Sequence, residues 1–314
     1  MAAAPTAVSL FSGCGGSDTG LVEAGYEVVF ANDTDAYARE VYLENLPETK
    51  YHLGKVEQIE SFPSADLLVG CYPCQGFSEG GARNPKRRVN YLYRQFDRAL
   101  RHIRPRAFIV ENVPGLMRSN FRHLLNNQLV RFRLAGYRVR YERLNAAAFG
   151  VPQDRWRLFL VGIRSDIDAQ YRFPDPTHGP EGSQAFKTIR EALKDFPEWP
   201  EGEFWSEPFH WYYMSRNRRR EWDEPSKTVT SRARHTPLHP LSPPLRRVKA
   251  DHWTWTHDGR RRRFSYREAA VLQGFPPDFA FPESGTLRAK YRVIGNAVPP
   301  PLFRAVAEAI PEIW

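Results

Sequence analysis

Several protein classes are excluded by what the sequence lacks. No apolar run approaches the roughly 18 residues of a membrane-spanning helix, so we expect no membrane association. The N-terminus has neither the charged start nor the long apolar segment of a secretory signal. The three cysteines are too few for a disulfide framework, which fits a reducing compartment. We therefore expect a cytoplasmic protein.

What the sequence contains is enough for a packed core. The 314 residues are 41% hydrophobic and show no internal repeat, and a chain of this length can form one large domain and a smaller one. Alternating strand and helix patterns over the first half favour an α/β fold. We predict strands at 7–11, 27–31, 66–69, 107–110, 138–144 and 157–162, and helices at 35–46, 90–103, 121–134, 266–272 and 300–310.

The second half of the chain changes character. Prolines become dense from about residue 171, and no long helical period follows until residue 265. This favours a smaller, loop-rich second domain over 171–264. The first domain would then comprise 1–170, completed by 265–314.

The positive charge is concentrated in one segment. The net charge is +9, and residues 208–264 alone hold 14 Lys/Arg against 5 Asp/Glu, whereas residues 171–207 hold 4 against 8. Such a focus favours a polyanion as partner. A solvated arginine-rich face explains the charge equally well, so charge alone leaves both interpretations open.

A glycine-rich turn follows the first predicted strand. It reads Ser12-Gly13-Cys14-Gly15-Gly16, and Asp33 comes 20 residues after Gly13 at the end of the second strand. Doubly wound folds hold a nucleoside cofactor with such a turn and use an acid at this distance for the ribose. The glycines do not follow Gly-x-Gly-x-x-Gly, which argues against a nicotinamide site.

Two thiols follow the strand at 66–69, in Cys71-Tyr72-Pro73-Cys74. A redox pair needs a helix starting at the first cysteine, and a zinc site needs a second pair of ligands; neither is evident. Buried, inert cysteines and a lone nucleophile at Cys74 remain. Glu111 directly follows the strand at 107–110, where desolvation could keep a proton available near neutrality for acid–base chemistry; a structural carboxylate that caps a loop is the alternative.

Six segments, taken together and in this order, resemble the DNA (cytosine-5)-methyltransferases, and they span nearly the whole chain. They are Phe11-Ser12-Gly13-Cys14-Gly15-Gly16, Pro73-Cys74-Gln75-Gly76-Phe77-Ser78, Glu111-Asn112-Val113, Gln153-Asp154-Arg155-Trp156-Arg157, Arg267-Glu268-Ala269-Ala270 with Gln273-Gly274-Phe275-Pro276, and Gly295-Asn296-Ala297-Val298-Pro299.

The resemblance implies a fold and a chemistry. The fold would be a mixed seven-stranded, Rossmann-like sheet with helices on both faces, which faces a target-recognition domain across a DNA cleft. The cofactor would be S-adenosylmethionine, released as S-adenosylhomocysteine, with no metal. Cys74 would be the nucleophile, Glu111 would contact cytosine N3, and Arg155 and Arg157 would shape the catalytic pocket.

The resemblance also implies two sets of binding residues. The cofactor set would be Phe11, Ser12, Gly13, Gly15, Gly16, Asp33, Thr34, Pro73, Asn296, Ala297 and Val298. The DNA contacts would be Gln75 and Ser78, the basic loop residues Arg83 and Arg88, and Arg216, Arg218, Arg232 and Arg234 of the recognition domain.

The cofactor segments depart from the family's pattern at three places. Ser9 stands where the family often has an acidic residue, and Thr34 stands where a tryptophan often stacks on adenine. The acid that contacts the adenine amine is replaced near Gly54-Lys55-Val56. These departures put the affinity for the cofactor in question more than its identity.

The sequence thus predicts a monomeric enzyme that methylates cytosine C5 in double-stranded DNA, with a family relative acting on RNA and a non-catalytic DNA-binding module as alternatives. The segments 212–218, 224–230 and 238–240 resemble recognition domains of bacterial enzymes that methylate GGCC-type sites. A restriction–modification system, with a cognate endonuclease acting on the same site, would be the setting.

Overall fold

Seven strands form one mixed sheet in the computed structural model, which describes residues 3–73 and 91–314. The strands of this sheet are β1 (Thr6–Leu10), β2 (Glu27–Asp33), β3 (Lys50–Leu53), β4 (Leu67–Gly70), β5 (Ala107–Asn112), β6 (Tyr137–Asn145) and β8 (Trp156–Arg164). A two-residue strand, β7 (Gln153–Asp154), lies outside it. The order is β3-β2-β1-β4-β5-β8-β6, with β1 to β5 parallel and β8 antiparallel to both neighbours. The predicted mixed seven-stranded α/β fold is confirmed.

The apolar runs predict the central strands because these are buried on both faces. Every residue of β4 and β5 is buried, and parallel strands covered on both sides are made of continuous apolar sequence. The edge strand β3 was not predicted. Its sequence, Lys50-Tyr51-His52-Leu53, has no apolar run, and its residues are half-buried or exposed.

Helices occupy the connections of the sheet. They are α1 (Gly16–Glu23), α2 (Ala36–Asn45), α3 (Tyr93–Ile103), α4 (Arg122–Leu134) and, near the C-terminus, α8 (Pro300–Glu308). Helix α2 begins at Asp35, whose carboxylate accepts hydrogen bonds from the N–H groups of Tyr37 and Ala38, and it ends shortly before Pro47. The predicted helices at 35–46, 90–103, 121–134 and 300–310 are confirmed to within three residues at each end.

Aromatic side chains fill the core under the sheet. Phe96, Phe108 and Phe132 are fully buried, with ring centroids 5.0–5.7 Å apart in tilted, edge-on pairs. Gly162 on β8 pairs with Phe108 across the ladder. A Cβ atom at Gly162 would lie 2.2 Å from Phe108 Cε1, so the Phe108 ring fits in this position only because Gly162 has no side chain.

The chain divides by contacts into two units. The first contains Met1–Asn145, Trp156–Asp175 and Leu302–Trp314, and the second contains Ala146–Arg155 and Pro176–Pro301. The second unit holds α5 (Ile189–Leu193), α6 (Tyr266–Leu272), α7 (Leu287–Asn296), β7 paired with β9 (Ser226–Lys227), and the hairpin of β10 (Leu245–Lys249) and β11 (His252–Trp255). The contacts group 265–301 with the second unit rather than the first, and the predicted domain boundaries stay a prediction.

The end of the chain packs on the first unit. The Tyr26 hydroxyl donates to the carbonyl of Ala307, the Tyr171 hydroxyl donates to that of Val306, and the Tyr26 ring meets Trp314 edge-on. The first unit is therefore completed by residues far apart in sequence. Among the described residues, no helix has the length and apolar character to cross a membrane.

The close packing of Gly162 against Phe108 predicts that one added methyl group lowers the stability of the fold. Gly162→Ala should lower the free energy of unfolding by about 3 kcal/mol, because Phe108 is enclosed by other rings and cannot move away. Urea denaturation measures this. Gly25→Ala is the matched control, since a Cβ there meets nothing within 4 Å and only the positive φ of +87° is unfavourable. Equal losses in the two variants would contradict this account of the core.

Candidate active site

The predicted functional segments of the first unit meet at one edge of the sheet. Strands β1, β2, β4 and β5 run parallel, so their carboxyl ends lie together. The strand order reverses between β1 and β4, and ligands of open α/β sheets bind outside such a switch point. The glycine-rich turn follows β1, Cys71-Tyr72-Pro73 follows β4, and Glu111 lies near the end of β5.

The turn after β1 has an unusual backbone. Phe11, Gly13 and Gly15 have positive φ values of 59°, 56° and 92°. This conformation is easy for glycine but costs free energy at phenylalanine, and such strain concentrates at functional sites. The Phe11 ring meets the Tyr72 ring edge-on at 6.0 Å between centroids. The turns after β1 and β4 are therefore in contact where a cofactor is expected.

Asp33 orders this turn. One carboxylate oxygen accepts a hydrogen bond from the Gly13 N–H at 3.0 Å, and the other accepts from the N–H groups of Thr34 and Asp35 at 2.6 and 3.0 Å. Burial raises the pKa of Asp33, and these N–H donors oppose the rise. On the far side, the Tyr51 hydroxyl donates to the Gly13 carbonyl at 3.2 Å. Asp33 thus links β2 to the glycine turn, while its contact with a ribose remains a prediction.

Glu111 forms an ion pair with Arg157. Arg157 Nε lies 2.7 Å from Glu111 Oε1, and both side chains are nearly nine-tenths buried. Glu111 pairs with Phe159 in the antiparallel ladder, and Arg157, two residues away, shares its face of the sheet. An arginine at this distance stabilises a carboxylate rather than a carboxylic acid. Desolvation alone therefore does not explain how Glu111 would hold a proton.

The next residue, Asn112, connects β5 to the turn after β4. Its amide donates to the Tyr72 carbonyl at 3.4 Å, and its side-chain oxygen accepts from the Val113 N–H at 3.0 Å. The Tyr72 hydroxyl donates to the buried side chain of Gln128. These bonds fix the chain up to the half-buried Pro73. The predicted nucleophile Cys74 and the predicted DNA contacts Gln75, Ser78, Arg83 and Arg88 lie outside the described residues.

The two described cysteines are poor nucleophiles. Burial raises the pKa of Cys14 to about 12. Burial and the negative charge of Glu111 raise the pKa of Cys71 well above the ordinary thiol value. Because a thiolate is the reactive form, neither thiol is suited to attack a substrate near neutral pH. This supports the interpretation of Cys71 as a spectator beside Cys74.

In the second unit, Arg155 binds backbone carbonyls. Its guanidinium donates to the carbonyls of Val229, Gly295 and Ala297 at 2.8–3.0 Å, and the side chain is 1% exposed. These bonds hold the segment with the predicted cofactor residues Asn296, Ala297 and Val298. The described contacts of Arg155 are those of a positioning residue, while those of Arg157 place it beside a functional carboxylate.

Two glutamines complete the same network and were missed by the sequence analysis. Gln153 donates to the Leu272 carbonyl and to Gln273 Oε1, and it accepts from the Val229 N–H at 2.8 Å. Gln273 in turn donates to the Ala297 carbonyl at 2.6 Å. Both lie within the segments that carry the family resemblance, but their role as buried anchors depends on contacts across more than 70 residues of chain.

The arginines of the second unit divide into two groups. Arg216, Arg232 and Arg234 are exposed, and Arg218 is half-buried against the Tyr213 ring. Arg262 and Arg263, by contrast, are each 1% exposed. Arg262 donates two hydrogen bonds to the buried carboxylate of Glu268. Arg263 donates to the backbone carbonyls of Arg234, Trp205 and Glu207. Part of the positive charge at 208–264 therefore stabilises the fold. Neither a polyanion partner nor a solvated arginine-rich face predicts these buried arginines.

The structure combines an α/β sheet, a glycine-rich turn at its switch point and a carboxylate–guanidinium pair at neighbouring strand ends. Comparison with known proteins gives one consistent family. The family model of C-5 cytosine-specific DNA methylases matches residues 6–312. The Type II methyltransferase M.BsuRI of Bacillus subtilis is 36% identical over 96% of this chain and 78% of its own length. M.MthTI of Methanothermobacter thermautotrophicus is 34% identical over 96% of both.

The solved structure of a DNMT2 variant from Spodoptera frugiperda has the same fold. Its TM-score is 0.69 at 18% identity, over 96% of this chain and 97% of that one. The chain belongs to the C-5 cytosine-specific DNA methylases. It is a DNA (cytosine-5)-methyltransferase of the bacterial restriction–modification type that uses S-adenosylmethionine. This favours the DNA enzyme over the RNA-methylating relative and the binding module.

Because the pKa of Cys71 is raised, we predict that its substitution has little effect on methyl transfer. Cys71→Ala should keep methyl transfer to DNA within about twofold of the wild type, because a half-buried thiol with a raised pKa supplies little thiolate near neutral pH. Incorporation of labelled methyl groups into DNA measures this. Cys14→Ala is the matched control for loss of a buried thiol. Complete loss of activity in Cys71→Ala, with the fold intact by circular dichroism, would contradict the assignment.

The backbone contact of Gly295 predicts a severe variant. An added Cβ would lie 2.2 Å from the Thr230 carbonyl carbon and the Ser231 nitrogen, which are backbone atoms that cannot yield. Gly295→Ala should therefore destabilise the second unit by about 3 kcal/mol or more and weaken any function of 296–298. Thermal denaturation and limited proteolysis check this. Gly202→Ala is the control, since a Cβ there meets nothing within 4 Å and only the positive φ of +78° is unfavourable. An equal loss of stability in both variants would contradict the backbone clash at Gly295.

Proposed function

We propose that Cys74 is the nucleophile of the methyl transfer, and that Glu111 and Arg157 form the wall of the pocket that receives the target cytosine. The observation that carries this is the 2.7 Å ion pair at the end of β5, next to the strand that leads into Cys74. Gly70, the last residue of β4, pairs with Val110, so Glu111 lies beside the first residues that follow β4, and Cys74 is four residues after Gly70 in the sequence.

The chemistry explains why these residue types are needed. Cytosine C5 is a weak nucleophile within the aromatic ring. Addition of a thiolate to C6 forms a C–S bond and moves an electron pair into the ring. The ring becomes an enamine, and its C5 atom is now a nucleophile. A cysteine suits this step because a small thiolate fraction is already strongly nucleophilic. After methylation, a base that acts through a water molecule accepts the C5 proton, and the electrons of the C–H bond form the C5–C6 double bond and expel the Cys74 thiolate.

Glu111 and Arg157 act on the charge that develops on the ring. Addition at C6 increases the electron density at N3 and O2. Glu111 takes up a proton from solvent as the cytosine binds and donates it in a hydrogen bond to N3, which stabilises that charge. Arg157 holds the Glu111 side chain in place from its own strand, and its guanidinium can reach O2. Arg155 acts through the backbone of 295–297, as a positioning residue.

The residues at the strand ends fit the methyl donor. The turn after β1 presents backbone groups at the start of α1, and Asp33 lies at the end of β2, where a ribose binds in doubly wound folds. When bound, S-adenosylmethionine supplies an electrophilic methyl group on a positively charged sulfur. The predicted cofactor residues Phe11, Ser12, Gly13, Gly15, Gly16, Thr34 and Pro73 belong to the turns and strand ends of the first unit. The predicted cofactor residues Asn296, Ala297 and Val298 belong to the second unit.

We propose double-stranded DNA as the substrate form and base flipping as the mode of access. The C6 atom cannot be reached inside a duplex, so the cytosine must leave the stack at a cost of roughly a few kcal/mol. The exposed Arg216, Arg232 and Arg234 and the half-buried Arg218 are among the described cations available for phosphates or for bidentate contacts to guanine. Gln75, Ser78, Arg83 and Arg88, which follow Cys74 in the sequence, would also contact the DNA.

The target sequence is proposed to be of the GGCC type, modified by a monomer whose cognate restriction endonuclease cuts the same site. The resemblance of 212–218, 224–230 and 238–240 to such recognition segments supports this. Bisulfite sequencing of DNA from a host that expresses the protein gives the methylated site directly. Methylation confined to another sequence would overturn the target while leaving the activity in place.

Substitution of the two proposed groups should separate their roles. Cys74→Ser should reduce 5-methylcytosine formation below detection, because an alcohol supplies almost no anion at neutral pH. Glu111→Gln, which keeps the size of the side chain, should lower kcat by about 100-fold or more. The assay is transfer of labelled methyl groups to duplex DNA, with Cys71→Ala as the thiol control. Wild-type turnover in Cys74→Ser would rule out Cys74 as the nucleophile.

A further inference from the structure

The hairpin of β10 and β11 carries a basic surface to which the proposed function assigns no role. Every residue from Arg246 to His252 is exposed. This tip holds the cations Arg246, Arg247 and Lys249 against a single carboxylate, Asp251. Among the described residues, none of the three cations forms an ion pair with a carboxylate. Their charges are therefore available to a partner outside the chain.

Other arginines of the same unit are not available in this way. Arg219 pairs with the carboxylate of Glu221, which lies two residues away in the sequence. Arg220 Nη1 lies 2.9 Å from Glu224 Oε1, and Arg261 Nη2 lies 3.0 Å from an oxygen of the Asp258 carboxylate. The unpaired cations at the tip of the hairpin thus differ from much of the positive charge around them.

The root of the hairpin determines which of its faces points outward. Leu245 belongs to a buried cluster with Tyr213, and Trp253 and Trp255 pack against that cluster. Residues opposite one another in an antiparallel pair share a face of the ribbon. Leu245 pairs with Trp255, and Arg247 pairs with Trp253. The face with these four residues is therefore the inner face.

A β-bulge brings a second cation to the outer face. Arg246 pairs with Thr254, one position away from the inner pairs, so both side chains point outward. By alternation alone, Lys249 would share the inner face with Arg247. The register shifts by one residue between Arg247 and Lys249, so Lys249 pairs with His252 instead. Because His252 is two residues from Thr254, Lys249 lies on the outer face with Arg246.

The outer face fits a phosphate backbone. The partners of Arg246 and Lys249 are two residues apart on β11, so the two cations are separated by about 7 Å along the ribbon. Each strand of B-DNA carries a phosphate about every 3.4 Å along its axis, so both cations can contact one strand at once. Contact with phosphates requires only charge, whereas readout of bases requires side chains in a fixed bidentate geometry. The exposed side chains of this face suit the first kind of contact.

The hairpin shares its core cluster with one of the proposed DNA contacts. The Phe209 ring meets the Trp255 ring at 5.3 Å and the Tyr213 ring at 5.0 Å between centroids. The guanidinium of Arg218 lies 5.1 Å from the centre of the Tyr213 ring. The tip of the hairpin is three ladder steps, about 10 Å, further out than Trp255. It therefore extends the basic surface that begins at Arg218.

We propose that the outer face of the β10–β11 hairpin binds the phosphate backbone of the duplex beside the target site, through Arg246 and Lys249. This contact is independent of base sequence, so it increases the affinity for every duplex and lengthens the DNA segment that the enzyme covers. The inference rests on the proposed function, in which duplex DNA is the substrate. It adds a separate surface to the contacts named there.

The first test compares two neighbouring arginines on opposite faces. Arg246→Gln and Arg247→Gln each remove one exposed charge, and fluorescence anisotropy of a labelled duplex measures binding between about 50 and 200 mM salt. Arg246→Gln should lower the slope of log Kd against log salt concentration by about 0.9 and weaken binding roughly tenfold at about 0.1 M salt. Arg247→Gln, on the inner face, should leave the slope unchanged. Equal changes in both variants would overturn the proposal.

A double variant separates the hairpin contact from the net charge. Arg246→Gln/Lys249→Gln should lower the slope by about 1.8 and weaken duplexes with and without the methylated site by the same factor, because phosphate contacts carry no sequence information. Lys187→Gln/Lys194→Gln is the control, since it removes two exposed charges from the acid-rich segment 171–207 and should keep the wild-type slope.

Two results of the double variant would overturn the proposal. One is a salt slope equal to that of the wild type, and the other is a loss of affinity confined to the duplex with the methylated site. Failure of the wild type to bind any duplex would instead overturn the proposed substrate form, and this inference with it.

Discussion

The ion pair between Glu111 and Arg157 depends on a single antiparallel strand. β8 enters the sheet between β5 and β6 against the direction of β5. Because of this direction, the start of β8 lies beside the end of β5, and Arg157 reaches the carboxylate that follows the buried run of β5. A parallel strand at this place would put its first residues at the opposite edge of the sheet. The reversed strand is therefore what brings a guanidinium to the functional edge.

Two kinds of electrostatic surroundings occur in this basic protein. At the strand ends of the first unit, Glu111 is paired with Arg157, and Asp33 accepts hydrogen bonds from three backbone N–H groups. The second unit presents exposed arginines and buries others in fixed contacts, such as Arg262 with Glu268 at 2.6 Å. The exposed arginines of the second unit are thus available to a polyanion, whereas the charges at the strand ends are held in pairs and hydrogen bonds. Net charge alone describes neither region.

Much of the fold and of the site could be predicted from the sequence. Continuous apolar runs predicted β4 and β5 because both faces of these strands are buried, and the turn after β1 was recognisable from its glycines and from Asp33. Strand β3 and helix α7 were missed, since β3 has no apolar run and the pattern of α7 contains Arg288, Lys290 and Arg292. The partners of Arg155 and the burial of Arg263 were beyond prediction, because backbone carbonyls distant in sequence determine both.

The central claim, that Cys74 attacks the cytosine beside Glu111, is tested most directly by trapping the covalent complex. DNA carrying 5-fluorocytosine at the target site, with S-adenosylmethionine, should form a stable adduct, since the ring cannot lose fluorine as it loses a proton. Mass spectrometry of the digested complex then locates the attached nucleotide. The account predicts attachment at Cys74. Attachment at Cys71 or Cys14, or the absence of any adduct from an enzyme that methylates normal DNA, would contradict it.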